Sequence, residues 1–561
     1  MCFEYYLCDM RRSRIFITTV VCAAAAAVFM GARALDRNFE ISKHLEIFHN
    51  VFRNVDMMYV DTVDIESLVE TGINAMLSEL DPYTVYYPED EEDDLKMMTT
   101  GKYAGIGAMI RQYPGKDHVV IEEPYENMPA ALSGVRAGDR ILRIDGEDMK
   151  GRTSQYVSDH LRGEPGTQFT LTVARLGVED SIDIQIKRAN IALPAVPYYG
   201  IWKGAGYIFL EQFTEDCSKD VRLALLDLKS QGARYIVLDL RDNGGGLMNE
   251  AIDIVSLFVP KGTLVVETKG RMRSATAQFV TTRDPVDAEI PMAVLINGNS
   301  ASASEIVAGA LQDLDRAVII GSRSFGKGLV QTTRSIPFNG ALKVTTAKYY
   351  IPSGRCIQEV DYSRHKSETA ASDSTASDSL LHIFHTKAGR EVRDGGGIRP
   401  DIDCPIDTLS DLIYYLSSDY VLFDFLNHYC SEHPTIGPLD QFQVTDSLFE
   451  AFKTFARESD FTYASRSSKA LKSIRDMARI EGLLGNAAEA FDTLEARLQY
   501  DVDRDFDNSR DDVKAIVGSN LVSRYYYASG VISYNLQFDS VLDSAMVVLE
   551  DKDRYSTLLG N

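Results

Sequence analysis

Hydrophobic and polar positions divide the chain into four textures. Between residues 35 and 97, Leu45, Phe48, Val51, Phe52 and Val55 recur at helical spacing, and the stretch from Ile65 to Leu77 repeats the pattern, which predicts helices that stop at Asp81-Pro82. From Gly101 to about Lys187, short apolar runs alternate with glycine turns, as in a small β-rich unit. From about residue 190 to 403, the continuous apolar runs Tyr207–Leu210, Tyr235–Leu240 and Ala293–Ile296 predict buried strands; they alternate with helical stretches such as Asp220–Lys229 and Asn249–Leu257, an α/β pattern. Beyond Asp403 the periodicity is helical again, over Leu409–Phe425, Phe442–Ala456, Lys469–Leu484, Ala487–Tyr500, Asp511–Tyr527 and Val541–Leu549. The acidic run Glu89–Asp94 reads as a solvated face, and Ser363–Ser379, rich in Ser, Thr, Ala and Asp, as a flexible surface insertion.

The chemistry concentrates where an apolar run, Met292–Ile296, meets the small-residue turn Asn297–Ser304 and then Ile306, Val307, Ala310 and Leu311 on one helical face. A hydroxyl at the start of that helix faces free N–H groups and the positive end of the dipole, so a serine there is a candidate nucleophile. A serine needs a base, and no histidine lies between His160 and His365. Lys327, between Gly326 and Gly328 and downstream of the apolar strand Ala317–Ile320, is the substitute; a lysine serves as base only where burial lowers its pKa. Gln331 can orient the amine by hydrogen bonding. Gly321 to Lys327 fits half of a phosphate-binding loop, but Gly328 stands where magnesium binding needs Ser or Thr, and a strand rather than a helix follows. No His-Glu-x-x-His sequence points to a metalloprotease.

Gly298-Asn-Ser-Ala-Ser-Ala-Ser-Glu-Ile306, Leu311-Gln-Asp313 and Phe325-Gly-Lys-Gly-Leu-Val-Gln331 together resemble the bacterial C-terminal processing peptidases, or tail-specific proteases. The resemblance implies Ser302 as nucleophile, Lys327 as general base and Gln331 as its orienting partner, with no metal or other cofactor. It also implies a crotonase-like α/β core in a multidomain α+β chain. The loop Asp239–Leu247 would then supply the main-chain N–H of Gly246, with that of Ala303, as an oxyanion hole; Gly244 stands where the family usually has proline. Asp313 coincides with a family position and reads as a structural hydrogen-bond acceptor. Gly105-Ile-Gly-Ala-Met-Ile110, Pro129–Gly146 and Leu161–Thr167 resemble a PDZ domain, in which Gly105, Ile106 and Gly107 would meet a peptide's terminal carboxylate and a strand edge its backbone. Arg162 matches an arginine that links that domain to the active site in some relatives. Together with the textures of the chain, this gives a map of a leader at 1–34, a helical segment at 35–97, the PDZ domain at 98–188, the peptidase core at 189–403 with an insertion near 361–380, and a helical domain at 404–561, the resemblance covering most of 36–402. The implied partners are protein substrates with free apolar C-termini, a second copy of the chain in a homo-oligomer, and an activating adaptor. A PDZ scaffold with an inactive core is the competing reading.

Composition adds a compartment. The 561 residues carry a net charge of −24, which argues against a nucleic-acid partner. Arg11, Arg12 and Arg14 precede the apolar run Ile15–Gly31 and the small-x-small triplet Ala32-Arg33-Ala34, a secretory signal cleaved after Ala34 or an uncleaved anchor. Either way the expectation is a periplasmic protein, soluble or held at the inner membrane. Cys217, Cys356, Cys404 and Cys430 lack metal-type spacing and are either reduced or joined by one disulfide.

Overall fold

The computed structural model describes residues 37–362, 382–404 and 410–560. The leader expected at 1–34 and the insertion expected over 363–379 lie outside them. The chain divides into two compact units, one up to Tyr86 and one from Tyr87 onward. In the first, helix 37–58 is followed by Ile65–Ser78, whose start is capped by the Asp64 carboxylate accepting the Ser67 N–H at 3.2 Å. Among the described residues no helix is long and apolar enough to cross a membrane.

In the second unit, the glycine-punctuated stretch forms an antiparallel sheet ordered Ala108–Arg111, Val120–Pro124, Arg140–Ile144, Gln168–Ala174 and Ile182–Lys187. Alternate residues such as Ile141, Phe169, Leu171, Val173 and Ile186 turn inward and meet Val157 and Leu161 of the helix Ser154–Leu161. Ala108–Arg111 is an edge strand of this sheet, so one row of its main-chain groups is free to pair.

Six strands among the described residues form the central sheet, ordered Tyr198–Trp202, Ala205–Phe209, Tyr235–Asp239, Met292–Ile296, Val318–Gly321 and Ile402–Asp403. All neighbours except the first pair run parallel. Every residue of Tyr235–Asp239, Met292–Ile296 and Val318–Gly321 is buried, which is why these strands read as continuous apolar runs rather than alternating ones. One face packs against the helices Cys217–Ser230, Met248–Val255 and Ala303–Asp313. The other face is covered from far along the chain: Leu542, Ala545, Met546, Val548 and Leu549 of helix Ser540–Glu550 join Tyr207, Val237, Leu295 and Ile320 in one core. An antiparallel hairpin, Leu329–Ser335 with Ala341–Tyr350, extends over the end of the central sheet that bears the functional residues.

The remaining helices build a core of their own around Phe449, Phe452, Phe506 and Leu521. Their boundaries differ instructively from the periodicity. The stretch expected as one helix over 409–425 is broken at Asp419, which caps a second helix, Tyr420–Glu432, by accepting the Tyr420 and Val421 N–H groups. The helix expected to end at Tyr527 continues to Asn535 through a kink at that residue (φ 56°). Tyr113, just past the edge strand of the small sheet, meets Tyr420 edge-on and Phe423 at a tilt, with ring centres 5.1 Å apart in each case, joining the two regions. The four described cysteines are free thiols.

Candidate active site

Parallel strands end together, and the loops leaving Asp239, Ile296 and Gly321 converge at one end of the central sheet. There a cavity of about 580 Å³ is lined by Ser302 and Ala303, by Gly244, Gly245 and Gly246, by Lys327, and by Gln331 on the hairpin. The structure thus brings the five residues singled out for catalysis to one cavity, with Gly105, Ile106, Gly107 and Arg162 standing apart in the small-sheet unit.

Ser302 occupies the turn between strand and helix at φ 56° and ψ −112°, immediately before the buried helix Ala303–Asp313. A non-glycine residue there is held against a backbone cost of about 1–3 kcal/mol, and the surroundings show how. Glu305, one turn into the helix and fully buried, accepts the Ser302 N–H (2.9 Å) and the Lys327 N–H (2.8 Å) on one carboxylate oxygen. Its other oxygen accepts the Gly326 N–H (2.7 Å) and the Ser324 hydroxyl (2.6 Å). Burial pushes this carboxyl up, and these four donors offset the push only in part, so it stays above its ordinary value. From the opposite side, the Tyr349 hydroxyl donates to the Lys327 carbonyl (2.6 Å) and reaches the Ser302 carbonyl at 3.1 Å. Complete burial beside Glu305 raises this phenol well above its ordinary value, which keeps it a neutral donor. Two side chains therefore fasten the Ser302 and Lys327 backbones to each other.

The glycine loop faces Ser302. Gly245 (φ 99°) passes so close that a Cβ there would lie 2.7 Å from the Ala301 carbonyl oxygen, and one on Gly246 (φ 142°) 2.3 Å from that of Phe213. Only glycine fits either position. The loop is pinned by the Asn243 carbonyl, which accepts the Ala301 N–H (3.0 Å) and the Ser304 hydroxyl (2.8 Å). Among the described residues, neither the Gly246 nor the Ala303 N–H finds an acceptor within the protein. Gly244, the departure from the usual proline, has open space where a side chain would project. Gln331 follows an irregularity in the hairpin register, and its amide donates to the Thr345 hydroxyl (3.2 Å).

Three regions match known families: residues 120–175 match "PDZ domain", 204–364 "Peptidase family S41", and 412–549 "Probable PDZ-protease, C-terminal helical domain". A carboxy-terminal-processing protease of Bartonella bacilliformis is 41% identical over 357 residues, spanning 63% of this chain and 81% of its own. The chain belongs to peptidase family S41. A probable CtpA-like serine protease of Staphylococcus aureus is 34% identical over 347 residues, spanning 61% of this chain and 68% of its own. Among solved structures, the photosystem II D1 C-terminal processing protease is 29% identical, covering 56% of this chain and 89% of that one with a TM-score of 0.32. This S41 peptidase is thus of the serine protease class and carries a PDZ domain and a C-terminal helical domain.

In the PDZ domain of the S41 chain, Gly105–Gly107 leads into the edge strand Ala108–Arg111, and the Ile106 side chain is buried in the domain core, leaving only its main chain for a ligand. Arg162 ends the helix Ser154–Leu161, and its guanidinium lies 5.8 Å from the centre of the Tyr103 ring. That ring packs on Gly105. Burial raises the Tyr103 phenol, and Arg162 with the N–H groups of Gly107 and Ala108 offsets this only in part.

Sequence reading passed over Glu305 and Tyr349 as functional residues, although Glu305 stood inside the quoted motif. The acidic run read as solvated keeps Glu89 exposed, and the helix that its last residues open, Glu92–Thr100, places Leu95, Met98 and Thr99 on the cavity wall. Asp313 accepts the Ser353 N–H (2.9 Å) and pairs with the buried Arg355 (2.8 Å), away from the cavity lining.

Proposed function

We propose that this S41 peptidase cleaves protein substrates by acylation of Ser302, with Lys327 as general base, and selects them through free apolar C-termini held by its PDZ domain. The observation that carries the reading is the meeting, on one cavity, of a serine in a strained turn, a lysine fastened to it through Glu305 and Tyr349, and two main-chain N–H groups without acceptors.

Each group has a step. The neutral Lys327 amine takes the Ser302 hydroxyl proton as the oxygen attacks the scissile carbonyl. Negative charge then develops on the carbonyl oxygen, and the Gly246 and Ala303 N–H groups receive it; donors already in place spend nothing on reorganisation, and removing one such donor typically costs about 10²–10³ in rate. The lysine ammonium gives its proton to the leaving amine; in the second half the Lys327 amine, neutral again, takes a proton from the water that attacks the acyl-enzyme and hands it to the departing Ser302 oxygen. Gln331 orients the amine within the hairpin. In the PDZ domain, the N–H groups of Gly105–Ala108 meet the terminal carboxylate while the peptide backbone pairs with the edge strand Ala108–Arg111. Arg162, beneath Tyr103, reports that occupancy. The cationic, apolar and small-residue order of residues 11–34 supports a location outside the cytoplasm, in the periplasm.

The test is cleavage of an unstructured protein ending in free apolar residues, by the wild type and by Ser302→Ala, with a C-terminally amidated substrate in parallel. Cleavage that vanishes in the variant and weakens on amidation supports both assignments. A Ser302→Ala protein that cuts as fast as wild type removes the nucleophile, and binding by both proteins without cleavage makes the chain a scaffold.

A further inference from the structure

Resting on that reading of the oxyanion loop, we propose that Asp539, supplied by the C-terminal helical region, is a positioning residue for the reaction: it holds the Asp242–Gly246 loop in place through Arg241.

Arg241 is the hinge between the strand Tyr235–Asp239 and the glycine loop. Its guanidinium is shared between two carboxylates. Nε lies 3.0 Å from Asp239, which also accepts the Tyr207 hydroxyl (2.7 Å), while Nη1 and Nη2 meet Asp539 in a two-pronged contact at 3.0 and 2.5 Å. The contact is sheltered, the three side chains being 20% (Arg241), 2% (Asp239) and 13% (Asp539) exposed. A paired fork of this kind fixes orientation as well as distance.

Asp539 is itself fixed. Its carboxylate caps helix Ser540–Glu550 by accepting the Leu542 N–H at 2.9 Å, and that helix is buried on the central sheet. On the far side of Arg241, Asp242 (φ 60°) accepts the side-chain amides of Asn297 (2.9 Å) and Asn299 (2.8 Å), and its N–H donates to Asn297 (3.0 Å). The loop is therefore held to the nucleophile turn at Asp242 and Asn243, and to Asp539 through Arg241.

What makes the Asp539 contact consequential is the space behind the loop. A second cavity of about 690 Å³ lies between the sheet end and the helical region, lined by Arg241, Asp242, Asn297, Ser519, Asn535 and Asp539 among others. Asp242 lines both this cavity and the active-site cavity, so the loop is the wall between them. The Arg241–Asp539 bridge crosses the rear space. Without it, the loop keeps its bonds to the nucleophile turn and to Phe213 but loses its brace on the side of the rear cavity, and the Gly246 N–H is free to drift from the position where charge develops.

The experiment compares full-length Asp539→Asn with Asp543→Asn. Asparagine caps a helix as well as aspartate does, so the first change preserves the helix start and removes only the charged fork. Asp543 joins the same helix to Lys203 of the core (2.7 Å, both half exposed) and controls for loss of an interdomain ion pair. Expected for Asp539→Asn are a kcat lowered about 10- to 100-fold with KM within twofold, and inhibition by a peptide boronate, whose tetrahedral adduct needs the oxyanion donors, weakened by the same factor. Amide hydrogen exchange in residues 241–248 should quicken. Asp543→Asn should match wild type in all three. Two results overturn the proposal: exchange in 241–248 unchanged in Asp539→Asn, or a kcat loss that the boronate does not follow. Exchange reads loop position without catalysis, so a wild type that shows no Ser302-dependent cleavage defeats the proposed reaction while the loop assignment is still decided.

Discussion

Replacing Glu305 tests whether hydrogen bonds to main chain, rather than packing alone, hold Ser302 and Lys327 together. Glu305→Ala removes the acceptor of three N–H groups, on Ser302, Gly326 and Lys327, and of the Ser324 hydroxyl. The hydroxyl can rotate, but each buried N–H left without an acceptor costs about 1–3 kcal/mol, so the three together cost roughly 3–9 kcal/mol. That is a large share of the roughly 5–15 kcal/mol by which a domain is stable. Glu305→Gln is the informative partner. Its oxygen can stay with Ser302 and Lys327 while its NH₂ group turns toward Ser324, whose hydroxyl can accept; only the Gly326 N–H is orphaned, at about 1–3 kcal/mol. The expected result is an alanine variant that unfolds at far lower denaturant and shows no turnover, beside a glutamine variant that melts a few degrees low and keeps kcat within about tenfold of wild type, since 1.4 kcal/mol is a factor of ten. Both are read by denaturant unfolding and by cleavage of the tail-bearing substrate. An alanine variant with wild-type midpoint and kcat refutes the hydrogen-bond reasoning; a glutamine variant that folds like wild type but is inactive shows that the charge, not the bonding, is what matters.

Three further outcomes follow from the same structure. Tyr349→Phe removes the hydroxyl that bridges the Lys327 and Ser302 carbonyls, and should cost about 1 kcal/mol of stability with a several-fold lower kcat, checked by melting and steady-state kinetics. Asp313→Ala leaves the buried Arg355 without its carboxylate, so about 3–5 kcal/mol of stability should be lost while the folded fraction, counted by active-site titration, keeps its kcat. Burial works against the charge of Asp287, but Lys229 and the N–H groups of Glu289 and Ile290 prevail and hold its carboxyl at about 2, below the ordinary 3.8. Its contribution to stability is therefore full above the ordinary value and lost as pH falls toward the folded one, so Asp287→Asn should flatten the melting temperature between about pH 4 and pH 2.

Much of this site was legible in sequence because it is made of local features. Met292–Ile296 is a fully buried parallel strand and so a continuous apolar run; Ser302 sits among small residues because a turn at φ 56° tolerates nothing bulky next to it. Lys327 announced itself through its glycine neighbours and the lack of any histidine between His160 and His365. Glu305 and Tyr349 did not, because what they bind is main chain distant in sequence, and a main-chain N–H has no letter. The break at Asp419 was hidden for a related reason: apolar periodicity runs through it, and only the cap geometry shows that the aspartate ends one helix and starts another. Helix Ser540–Glu550 was visible as a helix, yet periodicity says that a face is apolar and not what covers it; the partner turned out to be the peptidase sheet.

That partnership orders events during synthesis. Chains fold from the N-terminal side as they emerge, and Ser302, Lys327 and the glycine loop are made long before residues 539–550. Until those arrive, the sheet has one bare apolar face and Arg241 lacks its second carboxylate. A nascent or truncated chain therefore carries Ser302 and Lys327 before the far anchor of the Asp242–Gly246 loop exists, and if that loop acts as proposed, interrupted translation yields an inert fragment rather than a stray protease.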